Sequence, residues 1–598
     1  MNMNYLTNII SDKRISVALL LIIILLVFSN SLFSEFVWDD QFILKKDIFT
    51  DWKNIDDIFL TADTAHTDDN ISYYRPVTYL TFLFDYQMWD LKPFWYSLEN
   101  ILLHASVVII FYLLIARLFG DKTLAFFSSL LFALHPAVTE PVNFITGGRN
   151  TMLCAAFSLL TLFSASNSGR GKRGWAVLSL ILYFLALLSK EQAVILPLFL
   201  LLAAFLSGSK ELKADKYLLA AFFGVTAAYF ALRYQILGSV TSEYGVQFSY
   251  ERIGLMLSAL FSYFRIMLIP TDLSIEYTTL PVAFFSYKSL AAIAGMGILI
   301  YISLKKNIHD ALRISGVWLV LSFFPISNII PIPSAPVADR YIYIPLLGMC
   351  LAAGYGMKCF YSKKQAPAMI IFIICILLFG VMTHTRNYVW SNNESLWKDV
   401  VTKSPQKAVG YYNLGVIYQD KGDLDDAVRE YQLALEQDPA YVLAHINLGI
   451  IYHSKGLIDR AIREFSIAIE LDPDLSQAYY NLGRVFQYQG RNDSAIEQYQ
   501  LAIKFKPDYP EAHNNLGAIY KSKGFAEDAV RHFQASIRIR PESANTHNNL
   551  GSTYMMMGLL DKAIEHFRIA IAIEPGHTAA ISNLRFAQAL KSYSINKK

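Results

Sequence analysis

The sequence predicts an all-α protein in which a multi-span membrane bundle is followed by an array of helical repeats. The first observation is composition, because 54% of the 598 residues are hydrophobic and the mean hydropathy is +0.33, too high for a wholly soluble chain. The second is that a strict 34-residue period replaces the apolar runs after Arg386. We therefore predict a membrane domain over 1–386 and a repeat domain over 387–598.

Eleven apolar runs in the first domain approach the length that crosses a bilayer as a helix, roughly 20 residues. They lie near 15–33, 98–118, 122–138, 150–167, 174–189, 192–207, 215–235, 288–304, 312–330, 341–360 and 366–384. A further run, 253–269, carries Arg265 and is predicted to lie flat on the surface as an amphipathic helix.

The charges between these runs predict an orientation. With the amino terminus in the cytoplasm, every inner loop carries lysine or arginine, as the positive-inside rule requires. An odd number of spans then places the outer loop 34–92 and the repeats on the other side. The expected location is a bacterial inner membrane with periplasmic repeats, with the endoplasmic reticulum membrane and lumenal repeats as the alternative.

Two adjacent carboxylates, Asp39 and Asp40, follow the first apolar run. A charged pair is costly in hydrocarbon, so it is expected at or beyond the membrane surface. There it could accept a hydroxyl proton or anchor a metal or cationic partner. The alternative is that the two acids only cap and solvate the end of a helix.

Further polar groups are predicted on the same outer face, whereas the inner loops hold cations and almost no acids. Each could be an ordinary interfacial charge, but a site that needs both signs is expected outside. The group comprises Arg75, His135, Glu140, Arg149, Lys190, Glu191, Asp339 and Arg340.

Several classes of function have no support. Residues 169–174 match G-x-G-x-x-G, but they lie in a short loop without a βαβ unit, and neither a G-K-[ST] loop nor H-E-x-x-H occurs. The four cysteines have neither zinc-site nor disulfide spacing, and no basic stripe suggests nucleic acid.

The repeat domain is specified by Asn-Leu-Gly triplets that begin at 413, 447, 481, 515 and 549, with prolines at the same 34-residue step. A helix-turn-helix unit of this length, with small residues where its helices cross, is a tetratricopeptide repeat. Residues 578–592 are predicted to close the array. Trp397 lies 34 residues before Tyr431, so its helix is predicted to dock on the array as a half-repeat.

The recurring asparagines form a predicted ladder of side-chain amides on the array. Each amide can donate to and accept from an extended peptide backbone. The alternative, weighed equally, is that they hydrogen-bond within the repeats. The ladder consists of Asn413, Asn447, Asn481, Asn515 and Asn549.

The chain resembles the O-mannosyltransferase-related family of multi-span membrane proteins with tetratricopeptide repeats, whose animal members glycosylate cadherins. The resemblance rests on Trp38-Asp39-Asp40, Tyr74-Arg75-Pro76, His135-Pro136 with Glu140, Gly148-Arg149, Lys190-Glu191-Gln192, Phe324-Pro325 with Ser327-Asn328, and Asp339-Arg340-Tyr341, followed by the repeats. It departs at Asp339, where animal members are expected to have glutamate, and at Asn150, where an acid is common.

This resemblance implies a GT-C fold and inverting transfer of a sugar, expected to be mannose, from a polyprenyl-phosphate donor to serine or threonine. One of Asp39 and Asp40 would be the base, with Asp40 slightly favoured. Arg75, Arg149, Lys190 and Arg340 would bind donor phosphate. His135 and Glu140 are candidates for catalysis or for a divalent metal, and the asparagine ladder for acceptor peptide. The rival interpretation is a non-enzymatic membrane scaffold that recruits envelope or secretory-pathway proteins.

Overall fold

A computed structural model describes residues 12–60, 73–168, 173–207, 216–238, 249–277, 281–328 and 336–596. Most of the glycine-rich loop at 169–174 lies outside these ranges. The chain forms two compact units, Met1–Gln406 and Lys407–Lys598. Every regular element in the described residues is helical, so the all-α prediction is confirmed.

The first unit is built from α-helices joined by short 3-10 turns. Its α-helices are Lys13–Val27, Asp40–Ile43, Ile55–Leu60, Pro76–Trp89, Pro93–Phe119, Lys122–Leu134, Thr139–Asn143, Ile145–Asn167, Arg173–Ser189, Leu196–Ser207, Lys216–Leu237, Tyr250–Leu268, Tyr287–Leu304, Asp310–Phe323, Tyr343–Lys363, Gln365–Asn387 and Asn393–Lys403. The 3-10 turns are Ser29–Phe33, Asp47–Phe49, Trp52–Asn54, Pro136–Val138, Glu191–Ile195, Phe324–Ile326, Asp339–Tyr341 and Tyr388–Trp390.

Five helices of the described residues are long and apolar enough to cross a membrane, and a sixth span results if the pair bent by 60° at Pro136 counts as one. The prediction of about eleven spans is therefore not supported. Several apolar runs fold into shorter helices, such as Lys13–Val27 with 15 residues and Asp310–Phe323 with 14. Helix Ile145–Asn167 is long but rich in buried serine and threonine.

The segment 34–92 packs around a small core in its described part. Phe49, Ile58, Phe82 and Tyr96 pack together, and Ile145 belongs to the same cluster. Because Ile145 begins helix Ile145–Asn167, this core fixes the segment against the start of that helix. The acidic pair thereby acquires a rigid support.

The second unit consists of five helix pairs and a closing helix. They are Ala408–Lys421 with Leu424–Gln437, Val442–Ser454 with Ile458–Leu471, Ser476–Tyr488 with Asn492–Phe505, Pro510–Ser522 with Ala526–Ile539, and Ala544–Met556 with Leu560–Ile573, followed by Thr578–Asn596. Glycine is required within each pair, since a Cβ at Gly415 would stand 2.5 Å from the ring of Tyr431. The predicted repeats and closing helix are confirmed.

Helix Asn393–Lys403 belongs to the first unit. Its Trp397 is 4% exposed and meets the Trp38 ring edge-on, with ring centroids 6.2 Å apart. Lys403 donates to the Leu273 carbonyl at 2.6 Å. These contacts hold the helix in the first unit, so the boundary between the two units follows Gln406 and not Arg386 as predicted, while docking of the helix on the array stays a prediction.

Candidate active site

Asp40 is a buried cap on helix Ile145–Asn167. Its side chain has no exposed surface and accepts hydrogen bonds from Thr146 N at 2.8 Å, Thr146 Oγ1 at 2.7 Å and Ile145 N at 3.3 Å. Burial raises the pKa of Asp40 to about 7, although the Thr146 and Ile145 hydrogen bonds oppose this shift. Asp40 therefore serves the helix end and lacks access to a substrate hydroxyl.

Asp39 occupies a different environment from its neighbour. It is only half-buried and lies within electrostatic range of the Arg340 guanidinium. The residue before it, Trp38, adopts a left-handed backbone with φ 53° and stacks on Phe144 at a centroid distance of 4.9 Å. Trp38 N donates to Asn393 Oδ1 at 2.7 Å, which fixes this conformation.

Arg340 is held in a box of aromatic rings and one carboxylate. Its guanidinium carbon lies 5.5 Å from the centroid of Trp38 and 5.0 Å from that of Tyr341. Both its guanidinium and its backbone N–H donate to the buried carboxylate of Glu140. Glu140 therefore positions Arg340, which makes it a supporting group for the cation.

Lys190 is a second buried cation at the same place. Its Nζ donates to Thr151 Oγ1 at 2.6 Å and lies 5.6 Å from the Tyr341 ring centroid, so Lys190 and Arg340 share that ring. Burial, followed by the charge of Arg75, lowers the pKa of Lys190 to about 7. A bound anion would restore its charge.

Arg75 completes the cationic group through an ion pair with Glu191, at 3.1 Å. Four buried polar atoms in this region have no hydrogen-bond partner among the residues that the structure describes: Arg75 Nε, Glu191 Oε2, Gln192 Oε1 and Arg233 Nε. Buried polar groups are normally satisfied, so such a concentration indicates a place where a polar ligand belongs.

Arg149 does not belong to this group, contrary to the sequence prediction. It is 3% exposed, forms an ion pair with Asp85, and donates to Asn100 Oδ1 at 2.8 Å and to the Tyr96 carbonyl at 3.2 Å. Because its donors are engaged inside the protein, Arg149 holds the outer segment to helix Ile145–Asn167 and has no free face for a phosphate.

His135 is likewise structural. Its Nε2 lies 3.1 Å from the Met267 carbonyl and its Nδ1 accepts from Ala137 N at 3.3 Å, so both ring nitrogens are occupied. The described residues contain no group of three or more histidine, cysteine or acidic side chains placed to hold a metal. Both ring nitrogens of His135 are thus engaged inside the protein, and the Glu140 carboxylate holds Arg340, which argues against the predicted catalytic or metal role of either residue.

The asparagine ladder is mostly satisfied within the array. Asn447 donates to Tyr431 OH at 3.0 Å, Asn515 to Tyr499 OH at 3.3 Å and Asn549 to Asn514 Oδ1 at 3.2 Å. Asn413 and Asn481 donate to carbonyls one turn earlier on their own helices. These bonds favour the structural interpretation over a free row of peptide-binding amides.

Two residues of this region escaped the sequence analysis although they carried a signal. Asp85 and Arg233 are charges inside otherwise apolar stretches, where an ionisable residue points to a partner or a site.

Comparison with known proteins agrees with this division of the chain. Residues 94–234 match the family described as dolichyl-phosphate-mannose-protein mannosyltransferase. The models for tetratricopeptide repeats match 417–456, 451–490, 483–524 and 508–575.

Two curated relatives match more than half of this chain. The protein O-mannosyl-transferase F38B6.6 of Caenorhabditis elegans is 28% identical, over 62% of this chain and 54% of its own length. The mouse protein O-mannosyl-transferase TMTC3 is 26% identical, over 71% of this chain and 51% of its own length. This chain thus spans about half the length of these relatives.

Among solved structures, a crystal structure of MamA protein is 30% identical over 29% of this chain and 93% of that chain, with a TM-score of 0.26. Together, the mannosyltransferase-type segment, the repeats and the curated relatives show that this chain is a homologue of the protein O-mannosyl-transferases.

Proposed function

We propose that the protein transfers mannose from a polyprenyl-phosphate donor to a serine or threonine hydroxyl of a protein bound by the repeat array. The observation that carries this proposal is the half-buried Asp39 carboxylate beside Arg340, at the point where Arg340 and Lys190 meet on Tyr341. A base next to buried cations is the arrangement that glycosyl transfer from a phosphate requires.

The base in this proposal is Asp39, which reverses the order favoured by the sequence. Asp40 accepts three hydrogen bonds and has no exposed surface, so it orients the segment. Asp39 is accessible and held by the rigid Trp38. A general base must reach the proton that it removes, and only Asp39 of the pair has a path to it.

The step is a single displacement. The acceptor hydroxyl gives its proton to Asp39 as its oxygen bonds to the anomeric carbon, while the bond from that carbon to the phosphate oxygen breaks with its electron pair. Polyprenyl phosphate leaves as an anion and needs no proton. Attack from the opposite face inverts the anomeric configuration, so the proposed reaction is an inverting one.

The cations Arg340, Lys190 and Arg75 would receive the departing phosphate. The unpartnered Arg75 Nε and Arg233 Nε supply donors, and Gln192 Oε1 and Glu191 Oε2 supply acceptors for sugar hydroxyls. Donors and acceptors in one small region fit a glycosyl phosphate better than a simple anion, which would leave the two acceptors unsatisfied. The polyprenyl tail would lie against apolar helices.

We further propose that the site and the array share the extracytoplasmic side of the membrane, because donor and acceptor must meet there. A reporter that is active only in the cytoplasm, fused after Arg386, should stay silent. A strong signal from that fusion would contradict the placement.

The chemistry is tested with Asp39→Asn, Asp40→Asn and the matched control Glu35→Gln, which changes an exposed acid of the same segment. Transfer from polyprenyl-phosphate mannose to a serine-containing peptide is measured with equal amounts of purified protein. Loss of a positioned base should slow Asp39→Asn by about 10²–10⁴-fold without changing its melting temperature. Asp40→Asn should lower the melting temperature and activity together.

Two outcomes would contradict the proposal. Asp39→Asn transferring at nearly the original rate would remove Asp39 as the base. No transfer by the unmodified protein with this donor would favour the scaffold, whose array recruits proteins without modifying them.

A further inference from the structure

A cavity of about 530 Å³ opens between the second and third repeats of the array. Its walls come from the first helices of these repeats, Val442–Ser454 and Ser476–Tyr488, with one ring from helix Ile458–Leu471. The side chains that matter are Ile450, His453, Phe465, Asn481, Arg484 and Tyr488.

Arg484 is the distinctive residue of this cavity. It follows the Asn-Leu-Gly triplet of the third repeat, and the same position holds Val416, Ile450, Ala518 and Ser552 in the other four. A repeat of this kind therefore packs well with a small or apolar residue there. The guanidinium of Arg484 is not demanded by the repeat fold.

The charge of Arg484 has no acidic partner in the described part of the chain. The side chain is exposed, lies 5.9 Å from the Tyr480 ring centroid, and donates a long hydrogen bond of 3.5 Å to Asn481 Oδ1. Its planar fork thus retains donors for a second group. By contrast, three other arginines of the array each form an ion pair with a carboxylate: Arg429, Arg531 and Arg540.

The surroundings favour an anion. None of the residues that line the cavity is acidic, and one of them, Lys455, forms an ion pair with Asp425 of the preceding repeat. His453 faces the same space, where burial and then the charge of Arg484 lower its pKa. The remaining walls, Ile450, Phe465 and the ring of Tyr488, contribute apolar surface beside Arg484.

We propose that this cavity binds an anionic side chain, the carboxylate of aspartate or glutamate, of the polypeptide that the array presents for modification. The inference rests on the proposed function, since it assumes that the array holds the acceptor. Arginine suits this task because its fork matches a carboxylate with two parallel hydrogen bonds. The array would then select serine and threonine sites that lie at a fixed distance from an acidic residue.

The test uses the full-length protein in detergent and three fluorescent peptides of serine, alanine and glycine that differ at one central position, which is aspartate, asparagine or phosphoserine. Binding is followed by anisotropy. The aspartate peptide should bind roughly tenfold more tightly than the asparagine peptide, the size expected for a charge-assisted hydrogen bond, and the difference should shrink with salt. A much tighter phosphoserine peptide would instead identify a phosphoryl group as the preferred anion and overturn the choice of a carboxylate.

Arg484→Gln should abolish the preference for aspartate over asparagine. Arg484→Glu should instead prefer a fourth peptide, which carries lysine at the central position. Arg491→Gln is the matched control, because Arg491 is an exposed arginine of the same repeat that stacks on Phe486 outside the cavity. It should keep the preference.

Equal binding of the aspartate and asparagine peptides would overturn the inference and leave the proposed transfer reaction intact. A preference that survives Arg484→Gln would also overturn it. If the protein binds none of the peptides, both the inference about this cavity and the acceptor role of the array are overturned. Transfer to a free peptide, measured separately, would then show whether the proposed reaction still holds.

Discussion

The substitution Asp85→Asn should destabilise the membrane unit without touching the proposed reacting groups. Asp85 and Arg149 are each 3% exposed in their ion pair, and removing one partner of a buried pair typically costs about 3–5 kcal/mol. Glu99 remains 3.5 Å from the same arginine nitrogen, with 31% of its side chain exposed, so it compensates in part. We therefore expect a loss near the lower limit, about 3 kcal/mol.

The other partner of the ion pair should be replaced as well, alone and together with Asp85. Arg149→Met removes the cation from Asp85, and the double variant Asp85→Leu with Arg149→Met removes both charges. Because an apolar pair leaves no uncompensated charge, the double variant should be more stable than either single one. Recovery will be incomplete, since Asn100 and the Tyr96 carbonyl lose their donors.

Tryptophan fluorescence during heating is a selective assay for this purpose. All eight tryptophans lie at or before Trp397, so the signal reports only on the first unit. The single variants should melt roughly 3–5 °C lower than the unmodified protein, since a unit of this size has a large entropy of unfolding. Circular dichroism reports on the helices of both units at the same time, and only the part of its transition that comes from the array should not move.

Two results would refute the structural role of Arg149. One is an unchanged melting temperature in Asp85→Asn. The other is a double variant that is stable and folded but no longer binds polyprenyl-phosphate mannose, because Arg149 would then contact the donor.

Three further predictions concern the array. Gly415→Ala should lower the stability of the array by about 1–3 kcal/mol, because the new methyl group overlaps the Tyr431 ring. The control Gly576→Ala, which has open space around its new methyl group, should not lower it. Equal melting temperatures of the two variants would contradict the prediction. Burial, followed by the charge of His513, lowers the pKa of His532 to about 4. Because this lies below the unfolded value of about 6.5, array stability should be full above pH 6.5 and decline as the pH falls toward 4, measured by helical melting. His532→Glu, which copies the His445–Glu464 pair, should reduce that decline, and an unchanged pH profile would argue against the pair. Replacing Asn447, Asn481 and Asn515 together with alanine should lower the melting temperature, since their amides bond inside the array; normal melting with weaker peptide binding would restore the ladder as a binding surface.

The repeats were predictable because their period encodes the structure directly. Each Asn-Leu-Gly triplet supplies the small residue against which an aromatic ring of the second helix packs, so helix pairs follow from local sequence alone. The membrane unit offers no such period. Its apolar runs are interrupted at Pro136 and Lys190, where helices end, and run length alone overestimated the spans.

The distinction between Asp39 and Asp40 could not be drawn from the sequence. It depends on Thr146, more than a hundred residues away, whose backbone and hydroxyl bind one carboxylate and leave its neighbour accessible. Arg149 was misjudged for the same reason, because its partner Asp85 lies in a different apolar stretch. The sequence predicted that cations and acids would lie close together. Which cation pairs with which acid became visible only in the folded structure.

Trp38 makes the position of the acidic residue beside it dependent on a distant part of the chain. A bulky residue with a left-handed backbone costs about 1–3 kcal/mol, and this energy is offset only while Asn393 and the surrounding rings hold it. Asn393 begins the helix that directly precedes the repeats in the chain. A small shift of that helix would let Trp38 relax to an ordinary conformation and swing the Asp39 carboxylate away from Arg340. The alignment of the proposed base therefore depends on a helix that begins some 350 residues later in the sequence.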